Sequence, residues 1–379
     1  MLELPPLSLY IHVPWCVRKC PYCDFNSHAA GDGIPEQDYL DCLLEDFRAD
    51  RDYIQGRSLQ SIFIGGGTPS LLSPEFYARL LNELGSQVSF AGGLECTMEA
   101  NPGSAETERF AGYRDSGVNR LSLGIQSFDD RFLQTLGRIH NAGEAAHAIE
   151  ACQRAGFENF NLDLMYGLPG QTPRQALSDL RRALQFAPTH LSWYQLTLEP
   201  NTAFYSRPPR LPEEEAIATM MEAGLALLDE AGLKRYEVSA YARPGRQSLH
   251  NRNYWQFGDY IGIGAGASGK LTLGSENRRI RTRKTRQPSH YLARSGTYLA
   301  EVSDITPDSL DLEFFMNALR LTDGFPTDLY ESRTGKSFST VGKKLEYLHA
   351  EGMLLVTGNH VTPTDKGVLF TNTMLEQFL

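Results

Sequence analysis

The chain has 379 residues, of which 41% are hydrophobic and 22% charged, and a formal net charge of −10. This length exceeds one ordinary domain, so we expect a main core and a second, smaller one. The acidic balance argues against a nucleic-acid-coating protein, which needs a positive field over its binding face. No apolar run approaches the roughly 20 residues of a transmembrane helix, and MLELPPLSLY has no secretory pattern. We therefore expect a cytoplasmic protein without a transmembrane segment.

Short β-rich segments alternate with longer amphipathic ones through the first half of the chain. Strands are predicted at LSLYIHV, SIFIGGG, LECTMEA, VNRLSLGIQ, NFNLDLM and HLSWYQLTL. Helices are predicted from Tyr39 to Tyr53, Pro74 to Leu84, Ala105 to Ser116 and Pro173 to Phe186. Strands separated by helices indicate right-handed βαβ crossovers and a parallel sheet, which either closes partly into a (β/α)6 TIM-like barrel or stays open.

Polar and glycine residues recur where these strands end. They are Cys16, Gly65 to Thr68, Glu99, Gln126, Asp163 and Thr197. Because ligands of parallel α/β folds gather at the carboxyl ends of the strands, this pattern predicts one shared site at that rim.

The second half of the chain has a different sequence pattern. After a long helical pattern, the stretch HNRNYWQFGDYIGIGAGASG is predicted to be rich in loops, and a basic segment covers 278–286. From about Pro307, helices (309–321, 341–351) and a strand pair around GMLLVTGNHVTPT predict a small winged-helix-like domain. Its few basic residues disfavour nucleic-acid binding. We expect a barrel over 1–240, a connecting segment over 241–300 and the C-terminal domain over 301–379.

Three of the six cysteines, Cys16, Cys20 and Cys23, stand close together directly after the first predicted strand. Clustered cysteines in a chain without a disulfide pattern favour a metal site in a reducing compartment. Thiolates are the usual ligands of iron–sulfur clusters, and a cubane held by three cysteines leaves one iron open to another ligand.

The alternative is a structural zinc site, with a fourth ligand from His12, His28 or Asp24. Zinc sites usually pair CxxC knuckles from two places, and the sequence has no second knuckle. The spacing therefore favours a [4Fe–4S] cluster. The remaining cysteines are interpreted as small buried hydrophobic residues.

CxxxCxxC after a first strand, with Tyr22 before the last cysteine, resembles the radical S-adenosylmethionine (SAM) superfamily. The resemblance implies that SAM chelates the open iron and is cleaved to a 5′-deoxyadenosyl radical. The GGGTP segment at Gly65 to Pro69, by itself compatible with a tight turn, matches the family segment that contacts the SAM amino group.

Four further motifs resemble the oxygen-independent coproporphyrinogen III oxidase-like family within that superfamily. They are MEANPG with Glu99, LGIQSF with Gln126, LGRIH with Arg138 and NLDLMYGLPGQ with Asp163. Each residue alone would fit a solvated strand end. The resemblance implies contacts with cluster-bound SAM from Tyr10, Gly66, Glu99 and Ser268, with Tyr22 also among the cofactor-binding residues. It implies contacts with a second SAM from Gly67, Thr68, Gln126, Arg138, Asp163 and Thr197.

Two departures separate the chain from the oxidases of this family. The oxidases carry a further cysteine two positions beyond the third cluster cysteine, where this chain has Phe25. They also have an N-terminal extension over the active site, whereas nine residues precede Tyr10 here. These departures and the HNRNYW segment resemble the heme-chaperone branch of the family, so an active oxidase is not expected.

The HNRNYW segment offers groups suited to heme. His250 is the candidate iron ligand, and Tyr254 and Trp255 offer flat apolar area to a macrocycle. Guanidinium groups bind carboxylates in bidentate fashion, so the basic segment would suit the propionates. Its cationic residues are Arg278, Arg279, Arg281, Arg283, Lys284 and Arg286. The alternatives are a hydrogen-bonded loop at His250 and a solvated edge strand at the arginines.

Three functions remain open from the sequence. The first is a heme chaperone that delivers heme to respiratory heme proteins and carries a SAM-binding cluster. The second is an oxygen-independent coproporphyrinogen III oxidase, and the third is a radical SAM enzyme with another substrate. Whether the chain forms a homodimer or associates peripherally with a membrane also stays open.

Overall fold

A computed structural model describes residues 2–31 and 33–379. The strands are β1 Leu7–Val13, β2 Trp15–Cys16, β3 His28–Ala29, β4 Leu59–Gly66, β5 Phe90–Ala100, β6 Arg120–Gln126, β7 Phe160–Tyr166, β8 His190–Gln195, β9 Lys234–Glu237, β10 Ala240–Ala242, β11 Asp259–Ile263, β12 Ser268–Leu273, β13 Arg278–Lys284, β14 Leu299–Asp304, β15 Phe325–Pro326, β16 Leu354–Thr357 and β17 His360–Pro363.

The α-helices are α1 Glu36–Ala49, α2 Pro74–Gln87, α3 Ser104–Thr107, α4 Phe110–Asp115, α5 Asp130–Thr135, α6 Ala142–Arg154, α7 Pro173–Leu184, α8 Ala203–Ser206, α9 Glu214–Glu230, α10 Leu249–Trp255, α11 Pro288–Leu292, α12 Leu310–Ala318, α13 Thr327–Thr334, α14 Gly342–Ala350, α15 Asp365–Leu369 and α16 Thr371–Leu375. Short 3-10 turns lie at Arg51–Ile54, Pro69–Leu71, Phe338–Val341 and Glu376–Phe378.

One large sheet carries the site. Its strand order over the described residues is β14-β13-β12-β11-β1-β4-β5-β6-β7-β8-β10-β9. The strands from β11 to β8 are parallel, and antiparallel strands extend both edges. All six predicted strands are present as β1 and β4 to β8. The predicted α/β class, built on six parallel strands and crossover helices, is confirmed.

The loop-rich prediction for HNRNYWQFGDYIGIGAGASG was wrong. This stretch forms most of α10, all of β11 and the start of β12, and β11 is a seventh parallel strand beside β1. Glycines hid the strand pattern, because they lie where backbones approach closely. A Cβ on Gly262 would collide with the backbone carbonyl of Ser268 on the neighbouring strand.

The outer face of the sheet is apolar and is covered by helices. On β1, Leu7, Leu9, Ile11 and Val13 are fully buried in the main hydrophobic cluster. Local sequence sets the helix starts. Ser73 caps α2 by accepting from a backbone N–H, and Asn141 forms a capping box at the start of α6. Among the described residues, no helix is long and apolar enough to cross a membrane.

The inner face of the sheet is polar, and α10 packs against it. The Oγ atoms of Ser8 and Ser61 lie 2.8 Å apart on this face. His250 of α10 places its Nδ1 atom 3.2 Å from the Ser61 hydroxyl and stacks on Phe63 with ring centroids 4.9 Å apart. Helix α10 therefore fills the interior of the partial barrel beneath the carboxyl ends of the strands.

The C-terminal residues form a second hydrophobic cluster around Phe314, Phe315 and Tyr330. Helices α12 to α14 pack there with a three-stranded sheet of order β15-β17-β16. The predicted strand pair is present as β16 and β17, and β15 adds a third strand that was not predicted. Phe257, which follows α10, packs edge-on against Phe314 with ring centroids 5.8 Å apart. The exact division into 1–240, 241–300 and 301–379 stays a prediction.

Candidate functional site

The three clustered cysteines lie on one loop that lines a cavity of about 420 Å³. Strand β2 pairs with β3 at the base of this loop, so Cys16 is fixed by backbone hydrogen bonds. A turn closed by the Cys23 amide donating to the Cys20 carbonyl, at 3.2 Å, places the other two thiols on the same wall. All three are free, partly buried thiols.

The chemistry of this loop fits a cubane cluster. Burial raises the pKa of the Cys16 and Cys23 thiols, so ionising them calls for a compensating positive charge such as iron. Over the described residues, no group of three or more His, Cys, Asp or Glu side chains converges on one ion position. Cluster cysteines need no such convergence, because each binds a different iron.

The GGGTP segment begins in the last two residues of β4 and lies directly against the cysteine loop. The amide of Gly67 donates to Val13 at 2.7 Å and that of Thr68 to Trp15 at 2.7 Å. Gly66 has a φ of +113°, and a Cβ there would lie 2.5 Å from the His12 ring. A Cβ on Gly67 would collide with the Trp15 carbonyl. Side chains at these two positions are therefore incompatible with the approach of the two loops.

Two partly buried carboxyl groups line the cavity, Glu99 on β5 and Asp163 on β7. Burial and the nearby Asp163 raise the pKa of Glu99 to about 7, although the Gly66 amide donates to Glu99 Oε2 at 3.0 Å. Burial also raises the pKa of Asp163. Asp163 accepts from Ser122 Oγ at 2.9 Å and Asn161 Nδ2 at 2.8 Å. Such carboxyl groups suit a ligand that brings hydroxyl or ammonium donors.

Gln126 ends β6 with a φ of +67°, in the left-handed region that a non-glycine side chain rarely adopts. Its Oε1 atom accepts from the Tyr194 hydroxyl at 2.9 Å. The strained backbone and the hydrogen bond together hold the amide at the cavity wall. Strain of this kind persists where the surrounding structure over-determines it.

Arg138 links the cysteine loop to the strand ends. Its Nη1 donates to Cys20 Sγ at 3.7 Å, and its Nη2 donates to the Gly124 carbonyl at 2.9 Å and to Asn101 Oδ1 at 2.5 Å. Asn101 Nδ2 in turn donates to Thr68 Oγ1 at 2.9 Å. This guanidinium is held in place by the fold and lies beside one of the thiols.

Most of the predicted site residues meet in this cavity. Besides the cysteines, its lining includes Tyr22, Gly66, Gly67, Thr68, Glu99, Gln126, Arg138, Asp163 and Thr197. Sequence reasoning missed several lining residues, namely Asn101, Ser122, Ser192, Tyr194, Glu237 and Arg320. Asn101 had a local signal, since it follows Glu99 in MEANPG, whereas Arg320 had none.

Three predicted residues lie outside the lining. Tyr10 is partly buried on the inner face of the sheet, with its hydroxyl 2.9 Å from His12 Nδ1. Ser268 is exposed at the start of β12. His250 lies against Phe63, and burial and Arg120 lower the pKa of its imidazole to about 3.

The His250 Nε2 atom is buried and has no hydrogen-bond partner among the described residues. The neighbours of His250 in α10 lie on two faces of the helix. Asn251 and Trp255 line the cavity. Tyr254 packs on His250, with ring centroids 4.6 Å apart. The HNRNYW segment therefore contributes to both the barrel interior and the cavity wall.

Residues 278–284 of the basic segment form β13, and several of their cations already have acidic partners. Arg278 pairs with Asp304 at 2.8 Å, and Arg281 and Arg283 form ion pairs with Glu313 and Glu301. Lys284 is buried between Asp46 and Asp50. None of the residues of β13 contributes to the described lining of the cavity.

Comparison with known proteins agrees with this geometry. Residues 10–183 match the Radical SAM superfamily, and residues 305–370 match the HemN C-terminal domain. The chain is also similar in fold to a solved structure, the coproporphyrinogen III oxidase HemN from Escherichia coli. That similarity has a TM-score of 0.83 at 22% identity and covers 99% of this chain and 90% of the other.

A cysteine loop of this kind on a parallel α/β sheet, together with these matches, defines a radical SAM protein. Two relatives are similar over their whole length. The heme chaperone HemW of Haemophilus influenzae is 51% identical, with 100% of this chain and 99% of the relative covered. The heme chaperone HemW of Escherichia coli is 49% identical over 100% of both chains. The chain belongs to the HemW family within the radical SAM superfamily, and this family implies a [4Fe–4S] cluster and SAM.

Proposed function

We propose that this chain is a heme chaperone that binds heme and transfers it to respiratory heme proteins. The observation that carries the proposal is similarity along the entire chain to relatives named heme chaperones. The oxidase HemN shares the fold at 22% identity, which supports the architecture alone. The missing cysteine at Phe25 also favours the chaperone function over decarboxylation.

In this proposal, Cys16, Cys20 and Cys23 hold the [4Fe–4S] cluster. The polar groups around the cavity hold SAM, with Glu99, Gly66 and Arg138 near the cysteine loop. Asp163 and Gln126 lie further along the rim. The cluster, when bound, supplies an electron to SAM. The partial burial of the two carboxyl groups supports this assignment, because partial exclusion of water strengthens their contacts with a charged ligand.

His250 remains the candidate heme ligand. Its low pKa keeps the imidazole neutral at physiological pH, so a nitrogen lone pair is available to iron. Its Nε2 atom makes no hydrogen bond to the described residues. Because the ring is buried under Phe63 and Tyr254, ligation requires α10 to shift toward the cavity.

An anaerobic heme titration of the cluster-reconstituted protein tests this function. We expect a saturable, near-stoichiometric Soret band in the wild type and its loss in His250→Ala. His147→Ala, at an exposed position of α6, is the matched control and should bind heme normally. Absence of a saturable band in the wild type would refute heme binding. Vinyl products from coproporphyrinogen III, SAM and reductant under nitrogen would instead establish the oxidase.

The cluster assignment has its own test. Cys20→Ser should remove the broad iron–sulfur absorbance of the reconstituted protein, whereas Cys42→Ser, which changes a thiol on α1, should not. Unchanged iron and sulfide in Cys20→Ser would show that the ligand assignment is wrong. The cytoplasmic location, the recipient proteins, homodimer formation and peripheral membrane association stay predictions.

A further inference from the structure

Three side chains from separate parts of the chain meet at one wall of the cavity. Glu237 ends β9, Trp255 ends α10, and Arg320 follows α12 in the C-terminal unit. All three line the cavity that also contains the cysteine loop. Backbone contacts fix the junction, because Leu321 forms a β-bridge with Glu237 and Thr322 donates its amide to Tyr236 at 3.2 Å.

The guanidinium of Arg320 is held by contacts with two side chains. Its Cζ atom lies 4.3 Å from the centroid of the Trp255 ring, and its Nη2 atom lies 3.4 Å from Glu237 Oε2. Glu237 is buried, and its other oxygen accepts from the backbone amide and the hydroxyl of Ser239 at 3.0 and 3.1 Å. Arg320 makes a single long hydrogen bond to Glu237, and its other N–H donors have no acceptor among the residues that the structure describes.

Two donors in this cluster lack an acceptor. Arg320 Nε and Trp255 Nε1 are both buried without a hydrogen-bond partner in the part of the chain that the structure describes. Buried N–H groups normally have a hydrogen-bond acceptor. Two unpaired N–H groups on contacting side chains therefore indicate a site where a ligand can supply the acceptor. A third of the Arg320 side chain stays accessible, which allows the guanidinium to meet a group entering the cavity.

We propose that Arg320 binds a carboxylate of a flat, aromatic ligand, with Glu237 orienting the guanidinium and Trp255 providing the adjoining face. This inference rests on the proposed function, since heme carries two propionates on a planar ring. Arginine is suited to the role because its planar fork binds carboxylates in bidentate fashion. The C-terminal unit thereby supplies a ligand-binding residue to the barrel.

Arg138 and three arginines of β13 are less free to take this role. Arg278, Arg281 and Arg283 are paired with acidic side chains and lie outside the described cavity lining. Arg138 lines the cavity, but it already donates to Asn101, to a main-chain carbonyl and to a thiol. Within the described residues, Arg320 has one long ionic contact and its Nε donor has no partner.

The test compares heme with heme dimethyl ester, which keeps the ring and iron but has no free carboxylate. Both are titrated anaerobically into the cluster-reconstituted full chain, with Arg320→Gln, Arg320→Lys and Arg181→Gln as variants. Arg181 is exposed on α7 and serves as the matched control. We expect Arg320→Gln to weaken heme binding roughly tenfold or more and to leave ester binding unchanged, because one charge-assisted contact is lost.

The outcomes separate this inference from the proposed function. Equal binding of heme and ester by the wild type, or unchanged heme affinity in Arg320→Gln, would overturn the carboxylate site while the chaperone function stands. Binding of neither compound by the wild type would overturn both. SAM also carries a carboxylate, so its affinity is measured in parallel by equilibrium dialysis. A loss of SAM binding with heme affinity intact would also overturn the assignment to the flat ligand.

Folding of the variants is checked independently of ligand. Arg320→Lys keeps the ionic contact with Glu237 but not the planar fork, so it should retain the fold and still bind heme less tightly than the wild type. Near-ultraviolet circular dichroism should be the same for Arg320→Lys and Arg181→Gln. Wild-type heme affinity in a folded Arg320→Lys protein would contradict the bidentate contact.

Discussion

The carboxyl group of Glu99 offers a quantitative test of the electrostatics at the cavity wall, because it should titrate near neutral pH. Burial and Asp163 raise its pKa from 4.5 to about 7, and the Gly66 amide offsets only part of this rise. A raised carboxyl pKa means that the folded state prefers the protonated form. The stability that protonation contributes is fully present below about pH 4.5, the unfolded value, and is lost as pH rises through 7.

The perturbation is Glu99→Gln, which imitates the protonated acid at every pH. One pKa unit corresponds to about 1.4 kcal/mol, so between pH 5 and pH 8 the wild type should lose roughly 2–3 kcal/mol of unfolding free energy relative to the variant. Urea unfolding of the metal-free, reduced proteins at both pH values gives this difference. Comparing the two proteins at each pH cancels contributions from the groups they share.

Two further variants sharpen the result. Glu222→Gln, at an exposed position of α9, should show no pH-dependent difference from the wild type. Asp163→Asn should reduce the pH-dependent effect of Glu99→Gln, because it removes a negative charge that raises the pKa of Glu99. The measured quantity is the unfolding free energy of Glu99→Gln minus that of the wild type. If it is the same at pH 5 and pH 8 to within about 0.5 kcal/mol, the pKa of Glu99 is not raised.

The remaining predictions concern Gly67, which touches the cysteine loop, and the buried Lys284 of β13. Gly67→Ala should displace the cysteine loop because the new Cβ meets the Trp15 carbonyl, so we expect reduced SAM binding by equilibrium dialysis and a lower melting temperature. Wild-type SAM affinity would contradict the close approach. Lys284→Met should cost about 3–5 kcal/mol in urea unfolding, because it leaves Asp46 and Asp50 buried without their cation. A cost below about 1 kcal/mol would show that the pair is solvated.

The parallel sheet and the position of its site could be predicted from local patterns. Alternating apolar residues and glycine breaks identify a strand within a few residues, and the carboxyl ends of parallel strands necessarily meet at one rim. This is why Glu99, Gln126 and Asp163, from three different strands, meet in one cavity. The cysteine spacing was also local information, since one loop carries all three thiols.

Contacts made across long stretches of sequence could not be predicted in this way. Strand β11 inserts beside β1 although some 250 residues separate them, and its glycines suppress the usual strand pattern. The cations of β13 are paired with Glu301 and Glu313, which lie on later elements. A basic run in sequence shows that charges are present, but only the tertiary structure shows which of them are already neutralised.

The HNRNYW segment combines both kinds of information. Residues four apart share a face of a helix, so His250 with Tyr254 and Asn251 with Trp255 form two adjacent faces of α10. The first pair packs into the barrel interior, and the second lines the cavity. Because one short helix carries both pairs, a ligand that displaces the backbone of α10 at Trp255 would also displace His250. Helix α10 therefore connects a ligand in the cavity with the buried imidazole, a connection that neither face of the motif indicates alone.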